Sequence, residues 1–192
     1  MKMKLVPWIQ EARGKSGDTV FREVDGETVV ASKPGKRKTP SSGKQVEFQD
    51  RFLDARDYYT DRVKRIPALL ALYEQAAEQA GKSVYMMCRR DWYQAPEVRN
   101  PELGGYNGQV GDIVGFKVRN VIPAARAIVT LTDGDTGALI ERGQAEPEFE
   151  GSSFWQYTAT QAVPAGVNVS FRFEVYDYPG NSGEKTDSKR VI

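Results

Sequence analysis

One run near the end of the chain limits what it can become. Val167, Val169, Phe171, Phe173 and Val175 alternate with Asn168, Ser170, Arg172, Glu174 and Tyr176. A period of two puts the apolar five on one face of an extended strand and the polar five on the other. A strand apolar on one face needs a second apolar layer to cover it. The upstream sequence supplies one. Candidate strands fall near 110–118, 125–132, 138–145, 153–160 and 185–191, beside the run over 167–177. Turn-forming stretches separate them: 120–123, 133–137, 146–151, 164–166 and 179–181. Short strands at this spacing predict an immunoglobulin-like antiparallel β-sandwich over residues 95–192. Pro96, Pro101, Gly104 and Gly105 read as the linker into it.

Residues 45–94 read as helical. Phe48, Phe52, Ala55, Tyr59 and Val63 recur every three or four residues, an apolar stripe expected to be core. Ser42-Gly43-Lys44-Gln45 has the form of a capping box and should start that helix. Ile66-Pro67 ends it, and Pro67 suits the first turn of a second helix. That helix carries Leu69, Leu72, Tyr73, Ala76 and Ala80 and stops at Gly81. A shorter third helix, Ser83 to Trp92, places Val84, Met87, Cys88 and Trp92 on one side.

Residues 1–44 make the third part of an α+β chain. Leu5, Val6, Trp8 and Ile9 surround Pro7, which disfavours helix, so an extended apolar arm is expected. Such an arm docks on its own domain or on a neighbour. Asp25-Gly26 between β-rich flanks predicts a two-residue hairpin turn that pairs Phe21 with Val30 and Glu23 with Thr28. Then come Lys33, Lys36, Arg37, Lys38 and Lys44, among Pro34, Gly35, Pro40 and Gly43 and with no acid between them. This is a basic loop by composition.

The composition narrows function mostly by exclusion. The chain has no histidine, the commonest general base and metal ligand. Its one cysteine, Cys88, has no intrachain partner for a disulfide and no histidine to activate it, and reads as a buried structural thiol. No apolar run approaches the roughly 18 residues of a membrane helix, so no membrane insertion is expected. Lys2 and Lys4 precede no apolar core of signal-peptide length. Synthesis in the cytoplasm is therefore expected, whatever particle or extracellular assembly receives the product.

Three clusters invite chemistry. Asp133, Asp135 and Glu141 suggest a Ca²⁺ loop, but the sixth and twelfth positions from Asp133 are Ala138 and Gln144 where glycine and glutamate are needed. A hairpin turn explains the aspartates better. Glu146, Glu148 and Glu150 flank Pro147 and Phe149, and suit an edge that binds a basic partner better than acid–base work. The basic loop could grip phosphates without reading bases, although no aromatic lies between Phe21 and Phe48 to stack on a single strand. Gly14-Lys15-Ser16-Gly17 lacks the spacing of a phosphate loop. No cofactor, metal or catalytic residue is expected.

Two stretches resemble known proteins. Gly14-Lys15-Ser16-Gly17-Asp18-Thr19-Val20-Phe21, with Gly26 to Val30 and Lys33-Pro34, is similar to the opening of uncharacterised bacterial and phage proteins. Those proteins continue with a helical segment and a β-rich C-terminus. Tyr176-Asp177-Tyr178-Pro179-Gly180-Asn181 resembles the strand-end motif of bacterial immunoglobulin-like modules. The resemblance implies an interaction or assembly role and brings no catalytic residues.

Charge is distributed unevenly along the chain. Residues 1–44 hold ten Lys/Arg against five Asp/Glu, 45–94 eight of each, and 95–192 nine against thirteen. A basic front and acidic rear favour head-to-tail order. The expected function is thus a non-enzymatic subunit of a repeating assembly, such as a virion, tail-like particle or filament. Neighbours, either further copies or other subunits of the same assembly, would exchange an arm or strand. The alternatives are a nucleic-acid-associated protein using the basic loop, or a surface- or carbohydrate-binding adhesion module.

Overall fold

The computed structural model describes residues 14–24, 27–33, 35 and 42–192. The arm residues Leu5, Val6, Trp8 and Ile9, the turn pair Asp25 and Gly26, and Lys36, Arg37 and Lys38 lie outside the described residues. The chain divides after Val46 into two compact units.

The first unit holds a three-stranded antiparallel sheet of β1 (Gly14–Ser16), β2 (Thr19–Val24) and β3 (Glu27–Ser32), in that order. Between β2 and β3, Phe21 faces Val30 and Glu23 faces Thr28. β1 is an addition to the expected hairpin, too short to show any alternation. It pairs Ser16 with Thr19 across Gly17 and Asp18. Gly17 has φ +60°, the left-handed value that a two-residue hairpin loop needs and glycine takes at little cost.

The helices start where their caps place them. Ahead of α1 (Gly43–Asp57), the Ser42 N–H donates to Gln45 Oε1 at 3.1 Å and the Gln45 N–H to Ser42 Oγ at 3.4 Å. A π-helical turn over Tyr58–Arg62 and a 3₁₀ turn over Val63–Arg65 follow. α2 (Pro67–Ala80) has proline in its first turn and stops at Gly81, where φ is +60°. α3 (Val84–Tyr93) is capped by Ser83, whose hydroxyl accepts from the Met86 N–H at 3.3 Å.

The expected stripe on α1 is only half core. Ala55 and Val63 are fully buried, but Phe48 is 70% and Phe52 43% exposed. Tyr58, not Tyr59, is the more deeply buried tyrosine, and the extra residue taken up by the π-helical turn brings Val63, five positions on, to the same face. Tyr58 joins Val63, Leu69, Tyr73, Met87 and Cys88 in the helical core.

Seven strands complete the unit: β4 (Glu97–Glu102), β5 (Ile113–Arg119), β6 (Arg126–Asp133), β7 (Leu139–Pro147), β8 (Phe154–Thr158), β9 (Asn168–Tyr176) and β10 (Ser182–Arg190). They form an antiparallel sandwich close to a barrel, in the order β10-β9-β6-β7-β8-β5-β4. β7 joins its two halves. Leu139–Ala145 pair with β6, and Glu146 and Pro147 pair with Gln156 and Trp155 of β8. β9 is central, bonded to β6 on one side and β10 on the other. Val169, Phe171, Phe173 and Val175 are all 0% exposed, as the alternation requires. Phe173 packs on Phe116 and Phe171 on Tyr106, each with ring centres 4.9 Å apart.

The expected linker contains a strand. β4 is an edge strand whose register shifts between Arg99 and Glu102, with Asn100 at φ 46°. Pro101 sits in that irregularity, where a missing N–H costs no ladder bond. The other edge, β10, is almost entirely polar and exposed. The two edges meet in a seam. A Cβ on Gly183 would run into the Pro96 carbonyl, and Lys189 Nζ donates to the carbonyls of Leu103 (2.9 Å) and Gly104 (3.0 Å).

Candidate functional site

The helices pack on one end of the sandwich, and a cleft of about 860 Å³ opens beside that junction. One wall is α2, which presents Leu72, Gln75, Ala76 and Gln79 at helical spacing. The opposite wall is the β7–β8 hairpin, with Glu146, Phe149 and Glu150. The floor is Ile122, Ala124, Ala145 and Trp155, all buried. Among the described residues, Glu146 and Glu150 are the only charged ones that line it. Phe149 is 65% exposed on the hairpin. Trp155 is 5% exposed, and its Nε1–H has no acceptor among the described residues.

The acidic edge expected from the sequence thus becomes one wall of a concave site. Glu148 belongs to the same hairpin, and its N–H closes the turn onto the Phe154 carbonyl at 3.0 Å. The chemistry on offer is an apolar floor, amide side chains on one wall and carboxylates on the other. That combination suits an extended segment carrying both apolar and basic side chains.

Behind α2 lies a buried polar joint. Asp91 of α3 is 0% exposed, and its Oδ2 accepts from the Tyr73 hydroxyl at 2.5 Å. Tyr73 in turn bonds the Tyr58 hydroxyl at 3.1 Å. Asn181, after β9, donates from its side chain to the main-chain oxygens of Asp91 (3.1 Å) and Trp92 (3.4 Å). Asp177 holds Asn181 in place. Its Oδ1 accepts from the N–H groups of Gly180 (2.8 Å) and Asn181 (2.6 Å), and its Oδ2 from the Asn181 side chain (2.8 Å). The Tyr176–Asn181 motif therefore closes a turn and clamps α3 to the sandwich.

Burial pushes the Asp91 carboxyl up to about 7, opposed by the Tyr73 hydrogen bond and reinforced by the Asp177 charge. Burial also raises Asp177, and pushes Tyr58 and Cys88 up to about 12. Two buried acids side by side are a pattern of catalytic sites. Here Asp177 spends both oxygens on its own turn and Asp91 has no exposed surface, so the pair fits a structural joint.

The remaining candidates are engaged locally. Asp133 Oδ1 accepts from the N–H groups of Asp135 and Thr136, both at 2.9 Å, and these bonds hold its pKa below the usual range. Glu141 is buried and its Oε2 accepts from the Tyr157 hydroxyl at 3.0 Å and from the N–H (2.9 Å) and hydroxyl (2.5 Å) of Thr160. Trp92 packs against Tyr58 with ring centres 5.3 Å apart. Lys33 and Lys44 are exposed. Among the described residues no group of three or more Asp, Glu, Cys or His could hold a metal, and no helix is long and apolar enough to cross a membrane.

Asp91 was legible in one respect. It falls three residues after Cys88 and four after Met87, an acid within the apolar stripe of α3. Asn181 gives no such signal, because its partners lie about ninety positions away.

No protein-family model and no curated protein matches this sequence. Several solved structures are similar to about half of it. CopC from Methylosinus trichosporium OB3b aligns at 15% identity and TM-score 0.37, over 48% of this chain and 89% of its own. A tetra-tandem repeat from the extending region of a large adhesion protein aligns at 14% and 0.38, over 51% of this chain and only 24% of its own. A superoxide reductase (neelaredoxin) from Ignicoccus hospitalis aligns at 15% and 0.33, over 52% and 81%.

Proposed function

We propose that this chain is a non-enzymatic structural subunit of a repeating assembly, built on an immunoglobulin-like sandwich with a helical layer at one end. The strand order supports the immunoglobulin-like reading. Counted along the sandwich, the first, second and fifth strands (β4, β5, β8) share one sheet. The third, sixth and seventh (β6, β9, β10) share the other, and the fourth (β7) lies between them. The constant-type immunoglobulin fold groups these six strands in the same way, but its fourth strand pairs with the fifth, whereas β7 pairs chiefly with β6.

The observation that carries the assembly reading is the cleft between α2 and the β7–β8 hairpin. Among the described residues every charge lining it is negative, whereas residues 1–44 carry twice as many basic as acidic side chains. Unlike surfaces that attract one another on every copy make a heterologous contact, which repeats into rings or open filaments. The seam between β4 and β10 works against strand addition at the sandwich edges, which favours the cleft over those edges as the receiving surface.

Sedimentation velocity and negative-stain electron microscopy at two concentrations test this. The expected result is particles or fibres that grow with concentration and shrink in about 1 M salt, where the Debye length falls to about 3 Å. A monodisperse monomer at both concentrations overturns the reading. If that monomer bound DNA with steep salt dependence, the basic loop from Lys33 to Lys44 would be the functional surface instead.

A further inference from the structure

We infer that the cleft receives residues 1–13 of a second copy of this chain. The inference rests on the assembly reading above and names the two surfaces that meet. Four observations favour this occupant.

The first is size. At about 860 Å³ the open cleft has room for several side chains of an extended segment. The second is charge. Glu146 and Glu150 line the cleft with no lysine or arginine among the lining residues, and Glu148 stands on the same hairpin. Residues 1–13 carry Lys2, Lys4 and Arg13 against the single acid Glu11.

The third is apolar content. Above the buried floor, the half-buried Leu72 and Ala76 on one wall and the exposed Phe149 ring on the other call for large apolar side chains. Leu5, Val6, Trp8 and Ile9 supply them. The other basic stretch, Lys33 to Lys44, carries the right charge but not one large apolar residue, so it cannot cover these side chains. The fourth is backbone chemistry. An extended segment offers a main-chain carbonyl at every residue. The side-by-side amides of Gln75 and Gln79 are groups that pair with main chain. Pro7 disfavours a helix in this segment, and thirteen extended residues reach up to about 45 Å.

A charge exchange in the full-length chain tests the inference. Glu146→Lys with Glu150→Lys reverses the cleft, Lys2→Glu with Lys4→Glu reverses the segment, and the four changes together restore opposite signs. Each variant is compared with wild type by sedimentation equilibrium, with thermal unfolding as a check that the cleft substitutions leave the fold intact. Each reversal alone should weaken association at least about tenfold, and the combined variant should regain most of the loss. Trp8→Ala should weaken association with no effect of salt on the difference.

The outcomes distinguish failure of the occupant from failure of the assembly. Association of the wild-type chain that neither reversal changes would overturn this occupant and leave the assembly reading standing. Two reversals that each weaken association, without recovery when combined, would overturn the pairing of these surfaces. A wild-type chain that never associates would remove both.

Discussion

Replacing Asp91 by asparagine should remove a pH dependence of stability that the wild-type chain carries. The carboxyl is 0% exposed and its pKa stands at about 7, against an ordinary value of 3.8. Between about pH 4 and pH 7 the folded chain keeps a proton that the unfolded chain has released. The unfolded state then binds fewer protons, so the free energy of unfolding falls as pH rises through that window. It levels off above the folded-state pKa. A rise from 3.8 to about 7 corresponds to roughly 4 kcal/mol across the window, an upper bound because water entering the joint would relieve part of it. For a chain of this size that is on the order of 10 °C in melting temperature.

Asparagine has the shape of the acid and can still accept from the Tyr73 hydroxyl, while Asn181 bonds the main chain at this position and is unaffected. The variant should therefore be close to wild type near pH 4 and more stable than it at pH 8. Asp177, also raised, adds a slope of the same sign in both proteins, so the informative quantity is the difference between their profiles. Scanning calorimetry from pH 4 to 8 measures it. Parallel profiles, or a variant that loses stability most at high pH, would refute the argument that Asp91 is held protonated by burial.

Two further substitutions probe the fold. Gly183→Ala places a methyl against the Pro96 carbonyl, so β10 must part from β4; a loss of about 1–3 kcal/mol and faster amide exchange along β10 are expected, and unchanged exchange there would mean the seam is not closed. Ser42→Ala removes one half of the reciprocal cap of α1 and should cost about 1 kcal/mol, seen as reduced helicity by circular dichroism while the sandwich core keeps its near-ultraviolet signal.

Local rules placed most of the secondary structure. Alternation located β9, proline and glycine bounded α2, and Ser42 and Gln45 formed the cap they spell. The misses have physical causes. β4 was hidden because Pro96 and Pro101 read as loop, yet an edge strand with a shifted register tolerates proline. Phe48 and Phe52 read as core because periodicity reports an apolar face and not whether anything covers it. The π-helical turn inserts a residue that no 3.6-residue pattern anticipates. The candidate site was legible only as its parts. Glu146 and Glu150 stood out as an acidic run, but the α2 wall opposite them depends on tertiary packing that no local pattern encodes.

That packing links the cleft to the joint behind it. α2 carries the cleft residues Leu72, Gln75, Ala76 and Gln79, and between them Tyr73, which points the other way into the Asp91 bond. Asp91 lies on α3, which Asn181 ties to the end of β9. Tyr178, from the same turn as Asn181, both lines the cleft and packs on the helical core. One wall of the cleft is thus held to the sandwich through a chain of buried polar contacts rather than through strand pairing. Strand pairing would fix that wall by many equivalent bonds. A joint of a few buried polar groups fixes it by fewer bonds, one of which, from Tyr73 of α2 to the Asp91 carboxyl of α3, depends on a single proton, so the geometry of the receiving surface is linked to the protonation of Asp91.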